Sequence, residues 1–291
     1  MGADAGLARA FEGERGHLTA VAYRMLGSLS EADDAVQEAW IRLARSESDA
    51  IENLAGWLTT VVGRVCLDML RARKSRGEES VREYQLPDPV VGYAEEVDPE
   101  QRALLADSVG LAMLVVLEAL SPAERLSFVL HDMFAVPYEQ IAPIVGRTPQ
   151  TAKKLASQAR RRVRGQELVP DADPRRRRRV VEAFLAAARE GEFEALLAIL
   201  DPGVVLRADS GPGGVRVFRG AREVAALAST FQKMAMLYTA HAALINGAAG
   251  LVNTDGETVR SIIGFTVVNG KIAAMDLLTD PERLAGIEPP R

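Results

Sequence analysis

The chain has 291 residues, 48% of them hydrophobic and 26% charged, which is enough for two or three domains with ordinary apolar cores. A single cysteine, Cys66, excludes a disulfide framework and a cysteine-based zinc site, and its apolar neighbours predict a buried, inert thiol. No apolar stretch reaches about 18 residues and no signal peptide opens the chain, so we expect a cytoplasmic protein that does not contact membranes.

The net charge of −5 would argue against nucleic-acid binding if it were evenly spread along the chain, but it is not. Residues 147–164 contain seven basic side chains and no acidic one, and residues 64–76 contain five basic side chains against Asp68 alone. Acidic residues cluster instead between positions 31 and 38. This separation indicates one anionic and one basic partner, with ordinary solvated faces as the alternative.

Residues 1–76 predict a first all-α domain. Apolar residues recur at helical spacing in 18–26, residues 30–33 resemble a capping box that opens a second helix, and residues 57–65 supply the buried stripe of a third. The other face of the third helix carries polar and charged residues, namely Thr60, Arg64, Asp68 and Arg71.

Residues 77–110 predict a linker, because prolines and acidic residues interrupt the helical pattern over most of this stretch. A second all-α domain is predicted at 111–168. Within it, Ser121 and Glu124 predict a capping box, and the helix that they open is predicted to end near Phe134.

Two short helices follow, one over 138–145 and one from Thr148 onward, separated by a turn at Gly146. A basic helix after a glycine-containing turn indicates a helix-turn-helix motif whose second helix enters the major groove. The predicted apolar seam of that second helix is Ala152, Leu155, Ala159 and Val163.

Residues 170–174 mark a further boundary and precede five consecutive arginines at 175–179. Residues 175–285 then predict a mixed domain. Its predicted elements are helices over 180–200, interrupted at Gly191, and 221–231, and strands over 204–207, 215–219, 240–245, 250–252, 258–268 and 271–278, the last two joined by a hairpin turn at Asn269 and Gly270. The predicted fold class is therefore multidomain, with two all-α helical domains followed by an α+β cone.

Several of these motifs, in this order, resemble the extracytoplasmic-function (ECF) sigma factors of the sigma-70 family, which are subunits of RNA polymerase. Similarity to their region 2 lies in residues 23–28, 32–40, 57–62 and 66–68, and similarity to their region 4 in 121–125, 138–142 and 159–163. From about residue 176 the tail resembles a SnoaL-like domain of the NTF2 fold, which one ECF subgroup carries behind region 4. Two shorter matches support that subgroup, Leu86-Pro87-Asp88-Pro89 and Asp280-Pro281-Glu282-Arg283-Leu284, while its glycine-rich motif is only loosely met at 209–214.

The resemblance implies a promoter-selecting subunit with no catalytic residues and no cofactor, whose partners are core RNA polymerase and promoter DNA. The residues assigned to polymerase binding are Asp33, Asp34, Gln37, Glu38 and Trp40. The residues assigned to the melted promoter element are Arg64, Arg71, Arg73, Lys74 and Arg76, with Asn53 in a base pocket formed by the loop over 46–53. The residues predicted for the upstream promoter element are Arg147, Gln150, Thr151, Lys153, Lys154, Ser157, Arg160 and Arg161.

We expect the tail to regulate the sigma regions in cis by docking on regions 2 and 4 or on their linker. The regulatory residues predicted in the tail are Asp209, Asp280, Pro281 and Glu282.

Simpler interpretations stay open at this point. Trp40 is equally well explained by core packing, and Arg64 by an ion pair with Asp68. A ligand-responsive helix-turn-helix regulator without polymerase binding is an alternative function, although it leaves the first domain without a task. A SnoaL-like enzyme is another, with Asp209, His241 and Asp276 as the residues to test, and whether a small ligand fills the cone is open as well.

Overall fold

The computed structural model describes residues 2–46, 51–76, 85–93, 110–166, 170–227 and 237–290. These residues form two compact units, one built from 2–76 with 114–166 and the other from 85–93 and 110–113 with 170–290. Within these ranges, no helix is long and apolar enough to cross a membrane.

The helices of the first part of the chain follow the predicted order. They are α1 (Gly2–Leu26), α2 (Leu29–Ala44), α3 (Leu54–Arg76), α4 (Leu111–Glu118), α5 (Pro122–Phe128), α6 (Tyr138–Val145) and α7 (Pro149–Gln166). The predicted stripe of α3 is confirmed at Leu58, Val62 and Val65, which are buried, while Trp57 and Val61 are only half-buried. This stripe packs α3 against α1 and α2 as one apolar core.

The capping box predicted at residues 30–33 is wrong. Helix α2 begins two residues earlier, with Ser28 as an N-cap that makes no side-chain capping bond. Gly27 has φ of +71°, a conformation that glycine adopts without strain, and the chain turns there directly from α1 into α2. The Ser30 hydroxyl lies 3.1 Å from the Ser28 hydroxyl instead of capping the helix.

The capping box predicted at Ser121 is confirmed. The Ser121 hydroxyl accepts a hydrogen bond from the Glu124 backbone at 3.4 Å, and the Glu124 carboxylate accepts one from the Ser121 backbone at 3.1 Å. Helix α5 continues into a π-helical turn over Val129–Met133, so the helical segment ends near Phe134 as predicted. Together these bonds fix the start of the segment that carries the helix-turn-helix motif.

The second unit is the predicted α+β cone. Its strands are β1 (Val91–Gly92), β2 (Leu200–Asp209), β3 (Val215–Arg219), β4 (Thr239–Ile245), β5 (Ala248–Asp255), β6 (Thr258–Val268) and β7 (Lys271–Leu278). They form one sheet in the order β1-β4-β5-β6-β7-β2-β3, in which β2 and β7 are parallel and all other neighbours antiparallel. Register shifts in three of these pairings mark bulges, which bend strands and increase their twist.

Helices cover one face of this sheet. They are α8 (Pro174–Glu190), α9 (Phe193–Ile199) and α10 (Ala221–Ala226), and a short α11 (Pro281–Leu284) follows β7. Phe184 of α8 meets Phe265 of β6 with ring centroids 5.7 Å apart, at the centre of the apolar core. The break predicted at Gly191 is confirmed, and α8 begins earlier than predicted, so that it contains all five arginines. The predicted helix over 221–231 is seen as far as Ala226, and residues 228–231 lie outside the described residues.

The hairpin predicted at Asn269 and Gly270 is confirmed. Both residues have positive φ, +52° and +75°, as expected of a tight turn whose twist matches its strands. It joins β6 to β7, which pair antiparallel.

The first strand of the cone comes from the segment predicted as a linker. β1 pairs antiparallel with β4, with Val91 opposite Ile245 and Gly92 opposite Leu244. The prolines at 87 and 89 hold the preceding chain extended, and such a chain suits the edge of a sheet, where one side of the backbone needs no partner. Residues 85–93 therefore belong to the cone in this structure, although the boundaries predicted for regions 2 and 4 stay predictions.

Cys66 provides a test of the α3 core. Burial raises the pKa of its thiol from the ordinary 9.0 to about 12, so at pH 8 the folded chain holds about a thousandfold less thiolate than the unfolded chain. Because the folded pKa is the higher one, this burial favours folding below pH 9, and the contribution is lost as pH rises toward about 12. We expect thiol labelling at pH 8 to be at least about a thousandfold slower in buffer than in urea. Equal labelling rates would contradict this core.

Candidate interfaces for DNA and polymerase, and the linker-binding site

Helices α6 and α7 form the predicted helix-turn-helix. Gly146 ends α6 with φ of +68°, and the backbone N–H of Arg147 donates to the Ala142 carbonyl at 3.0 Å, which closes the turn. Residues on one side of α7 are buried against α5 and α6, namely Ala152, Ala156, Ala159 and Val163, while the predicted seam residue Leu155 is only half-buried. This packing fixes which face of α7 points to solvent.

The outward face of α7 carries most of the residues predicted for the upstream element. Those that are exposed are Arg147, Gln150, Lys153, Lys154 and Arg161, and those that are half-buried are Thr151 and Ser157. The Thr151 hydroxyl lies 3.0 Å from that of Thr148, which also accepts from the Thr151 backbone as a cap at the helix start. A basic face with hydrogen-bonding side chains near its N-terminal end has the chemistry of a major-groove reader.

Arg160 departs from the prediction. Its guanidinium donates to the Asp132 carboxylate at 2.8 and 2.6 Å, and that hydrogen bond raises the pKa of Arg160. The charge predicted for a phosphate is therefore already paired inside the protein. No local pattern predicts this pair, because Asp132 precedes the turn and only the fold brings it to α7.

Helix α3 presents a second basic face. Arg64, Arg71 and Lys74 are exposed, as predicted. Asp68 lies 3.8 Å from Arg71, so the ion pair considered between Arg64 and Asp68 is not the one formed. Both partners are largely exposed, and such a pair contributes little stability, which leaves the face available to a polyanion.

Arg73 also departs from the prediction. It is 9% exposed, forms an ion pair with Glu31 of α2 and donates to the Leu26 carbonyl at 3.4 Å. Removing one partner of a buried ion pair is strongly destabilising, so Arg73 contributes to the packing of α2 on α3, and its contact with a phosphate stays a prediction. Arg73 meets α2 because it sits on the inner side of the helix, next to the buried stripe.

Two further predictions for the melted element lie partly outside the described residues. Of the loop predicted as the base pocket, residues 47–50 are not described, and neither is the side chain of Arg76. Asn53 is described and exposed, and its side-chain oxygen accepts from the Gly56 backbone at 3.0 Å. This bond gives Asn53 a structural task as the cap of α3.

The acidic face predicted for polymerase lies on α2. Asp33, Asp34 and Gln37 are exposed, and Glu38 is half-buried and pairs with Arg42 at 2.8 Å. Trp40 is half-buried, with its ring centroid 5.0 Å from that of Phe11. The structure thus gives Trp40 a packing contact and leaves part of its ring at the surface.

Region 2 and region 4 helices pack together within the first unit. A Cβ atom at Gly63 of α3 would lie 3.4 Å from Leu130 and 3.6 Å from Leu126, so the backbone of α3 approaches the second set of helices closely. Arg125 is 4% exposed, its Nε donates to the Arg24 carbonyl at 3.0 Å, and burial lowers the pKa of its guanidinium. This structure is therefore a closed arrangement of the two regions.

The carboxylate of Asp209 holds the segment over 85–93. Asp209 has no exposed surface, and one of its oxygens accepts from the Leu86 backbone at 2.8 Å and from the Arg283 guanidinium at 2.7 Å. Arg283 also donates to the Leu86 carbonyl at 2.6 Å and to the Asp88 carboxylate at 2.8 Å. The two short motifs singled out in the sequence, at 86–89 and 280–284, thus meet at one buried charge.

Asn246 binds the next part of the same segment. Its backbone N–H donates to the Val90 carbonyl at 2.8 Å, and its side-chain oxygen accepts from the Val90 N–H at 3.0 Å. Further along, the Tyr93 hydroxyl donates to the Glu288 carbonyl at 3.0 Å, and burial raises the pKa of Tyr93 to about 12. Leu86 and Val90 are buried, so apolar contacts add to these bonds. We call residues 85–93 the docked segment.

The other three predicted regulatory residues lie at the start of α11, next to Arg283. Asp280 is buried, caps α11 by accepting from the Glu282 backbone at 3.0 Å, and lies close to Gly211. Pro281 begins α11, and the side chains of Pro281 and Glu282 are exposed. Arg283 is not among the predicted regulatory residues, although it lies in the motif at 280–284, because nothing in the sequence shows that its side chain turns inward.

The residues considered for catalysis are each bonded to partners within the fold. Asp276 is 2% exposed and forms a two-point ion pair with Arg207 at 2.5 and 3.0 Å, and His241 lies 3.0 Å from the Thr254 hydroxyl. A recess of about 560 Å³ beside α11 is lined by neither of them nor by Asp209; its walls are Tyr238, Glu257, Thr258, Val259, Arg260, Thr279, Pro281, Leu284, Ala285 and Ile287.

Comparison with known proteins gives the family. Residues 10–76 match sigma-70 region 2, and residues 111–163 match sigma-70 region 4. The chain is 37% identical over 290 residues to the ECF RNA polymerase sigma factor SigJ of Mycobacterium tuberculosis, covering 95% of this chain and 92% of that one. It is 34% identical over 278 residues to the probable ECF RNA polymerase sigma factor SigI of the same organism, covering 94% and 93%. The crystal structure of SigJ aligns with a TM-score of 0.78 and 33% identity across 96% of this chain and 99% of that one.

The fold and the two matched regions define an RNA polymerase sigma factor. More narrowly, the chain belongs to the ECF sigma factors, and the cone follows region 4 in its sequence. Sigma factors bind core RNA polymerase and promoter DNA and direct the initiation of transcription, and they are not enzymes. Membership of this family decides against the two alternatives left open by the sequence, a regulator without polymerase binding and a SnoaL-like enzyme.

Proposed function

We propose that this sigma factor selects its promoters through the outward face of α7 and that its cone restrains initiation in cis by holding the docked segment. The observation that carries the proposal is the set of buried bonds from Asp209, Arg283 and Asn246 to residues 86–90. The docked segment belongs to the chain that connects region 2 to region 4. While the docked segment stays in the sheet, less of this connecting chain is free to span the distance between two promoter elements.

The contacts to polymerase and to melted DNA follow from the two charged faces. Asp33, Asp34 and Gln37 offer charge-assisted and neutral hydrogen bonds to a basic polymerase surface, which gives steering and register. Arg64, Arg71 and Lys74 neutralise phosphates beside the melted bases. The protein acts in the cytoplasm, where the polymerase transcribes.

Release of the docked segment is the regulated step. In the closed arrangement, region 4 covers the surface of α3 around Gly63, so initiation requires region 4 to separate from region 2. A segment held in the cone opposes that separation. A small ligand in the recess beside α11 would contact the helix that carries Arg283. Its binding would thereby change the fraction of molecules in which the docked segment is bound to the cone.

Two substitutions in α7 separate base reading from phosphate binding. Lys154→Ala is expected to cost about 1–3 kcal/mol of discrimination between cognate and scrambled promoters, because a lost base contact affects one sequence only. Arg161→Gln is expected to lower affinity equally on both and to reduce the slope of log affinity against log salt by about 0.9. Reconstituted holoenzyme and labelled promoter duplexes provide the measurement.

Arg222→Gln serves as the control for these variants, because Arg222 is an exposed arginine on α10 of the cone. It should leave both affinities unchanged. If Lys154→Ala lowers affinity equally on cognate and scrambled duplexes, Lys154 does not read bases.

Arg283→Gln tests the restraint by the cone. It removes the cation that joins Asp209 to Leu86 and Asp88, and we expect promoter-directed transcription by the holoenzyme to rise about tenfold for each ~1.4 kcal/mol of docking free energy lost. The assay is run-off transcription from a cognate promoter with limiting sigma factor.

The matched control is Arg222→Gln, which removes an exposed arginine from α10 of the same cone. It should leave transcription unchanged. Asp88→Asn removes only the partner of Arg283 on the docked segment and guards against unfolding of the cone as the cause. Unchanged output in both Arg283→Gln and Asp88→Asn, with thermal midpoints retained, would contradict regulation by the docked segment.

A further inference from the structure

Helix α8 opens the cone with five consecutive arginines, Arg175–Arg179, which we call the arginine run. Asp173 caps the helix by accepting from the Arg175 backbone at 2.9 Å, and Pro174 is its first residue. Four arginines of the run are exposed, and Arg177 is half-buried. No part of the polymerase and promoter contacts described above uses these residues.

Only part of the arginine run serves the fold. Asp171 accepts from the backbones of Asn269 and Gly270 at 2.7 Å each, and Arg176 lies 3.5 Å from the same carboxylate. Arg176 therefore helps to hold the chain before α8 on the hairpin turn. The side chains of Arg175, Arg178 and Arg179 make no ion pair or hydrogen bond with any part of the chain that the structure describes.

The position of Arg175, in the first turn, is unfavourable for the helix itself. The N-terminal turn of a helix carries a partial positive charge, which favours acidic residues and disfavours cations there. Arg175 also lies three and four residues before Arg178 and Arg179, and like charges at these spacings repel one another. The overall composition does not explain the run, because the chain is acidic, with a net charge of −5. An anionic partner outside the chain would supply the missing stabilisation.

The chemistry of the arginine run fits phosphates. Guanidinium groups donate two parallel hydrogen bonds to a phosphate and keep their charge at all physiological pH values. A DNA strand offers a phosphate every 3.4 Å along the axis, so several arginines on one exposed helical turn engage neighbouring phosphates without reading bases. Promoter DNA is already the partner of the family, and in the sequence the run follows closely on the basic helix α7.

We propose that Arg175, Arg178 and Arg179 bind the phosphate backbone of promoter DNA as a third, sequence-independent contact made by the cone. This proposal rests on the use of promoter DNA by the family and is independent of the restraint exerted by the docked segment. The contact increases the affinity of the holoenzyme for any duplex that α7 binds, and it makes that affinity more dependent on salt.

The test is the triple variant Arg175→Gln/Arg178→Gln/Arg179→Gln in reconstituted holoenzyme, with affinity for a cognate duplex and a scrambled duplex measured between 50 and 200 mM salt. Loss of three phosphate contacts should make the slope of log affinity against log salt less steep by about 2.7. Affinity should fall by the same factor on both duplexes. The control variant Arg216→Gln/Arg219→Gln/Arg222→Gln removes three exposed arginines elsewhere on the cone and should leave the slope unchanged.

Three results would overturn the proposal. One is a wild-type salt slope in the triple variant, and another is an equal change of slope in the control variant, which would make the effect one of net charge alone. The third is a loss of binding to core polymerase in the absence of DNA, which would assign the arginine run to an acidic protein surface. The thermal midpoint of the triple variant should not fall, because removing cations from the first turns of α8 relieves their repulsion. A change in DNA affinity is therefore not explained by unfolding.

Discussion

The ion pair between Asp209 and Arg283 is the interaction on which the arrangement of the cone and its docked segment depends. A carboxylate with no exposed surface is tolerated only when a charge and hydrogen-bond donors compensate it. Arg283 supplies the charge, and the backbones of Leu86 and Gly211 supply the donors. Three segments far apart in sequence are thereby fixed at one point, and loss of any one leaves a buried charge poorly solvated.

This interaction connects the cone to the task of the sigma regions. The docked segment lies in the chain between region 2 and region 4, so its release lengthens the free connection between two DNA-binding parts. In the first unit, the same two regions are packed together through Arg125 and the close approach at Gly63. We infer that docking and packing each favour the closed form, so that polymerase and promoter must provide free energy to open it.

Local sequence patterns predicted most of the fold. The capping box at Ser121, the turn at Gly146 and the hairpin at Asn269 and Gly270 were predictable, because each depends on neighbours within a few residues. The capping box at residues 30–33 is a local error, and the other features that the sequence does not reveal are long-range pairs.

The ion pairs of Arg73 and Arg160 cannot be predicted from local patterns, because their partners, Glu31 and Asp132, are distant in sequence. The inward turn of Arg283 and the entry of Val91 into the sheet have the same origin, since a proline-rich segment shows an extended chain but not its partner.

Hydrogen exchange of the docked segment tests the central claim most directly. In the free full-length protein, the amides of Leu86 and Val90 should exchange about a hundred- to a thousandfold more slowly than in an unstructured peptide. The reason is that each amide donates a hydrogen bond to a buried side chain, which must open before exchange. In the holoenzyme engaged on a promoter, that protection should be lost. Rapid exchange in the free protein, or full protection retained in a transcribing complex, would contradict the account.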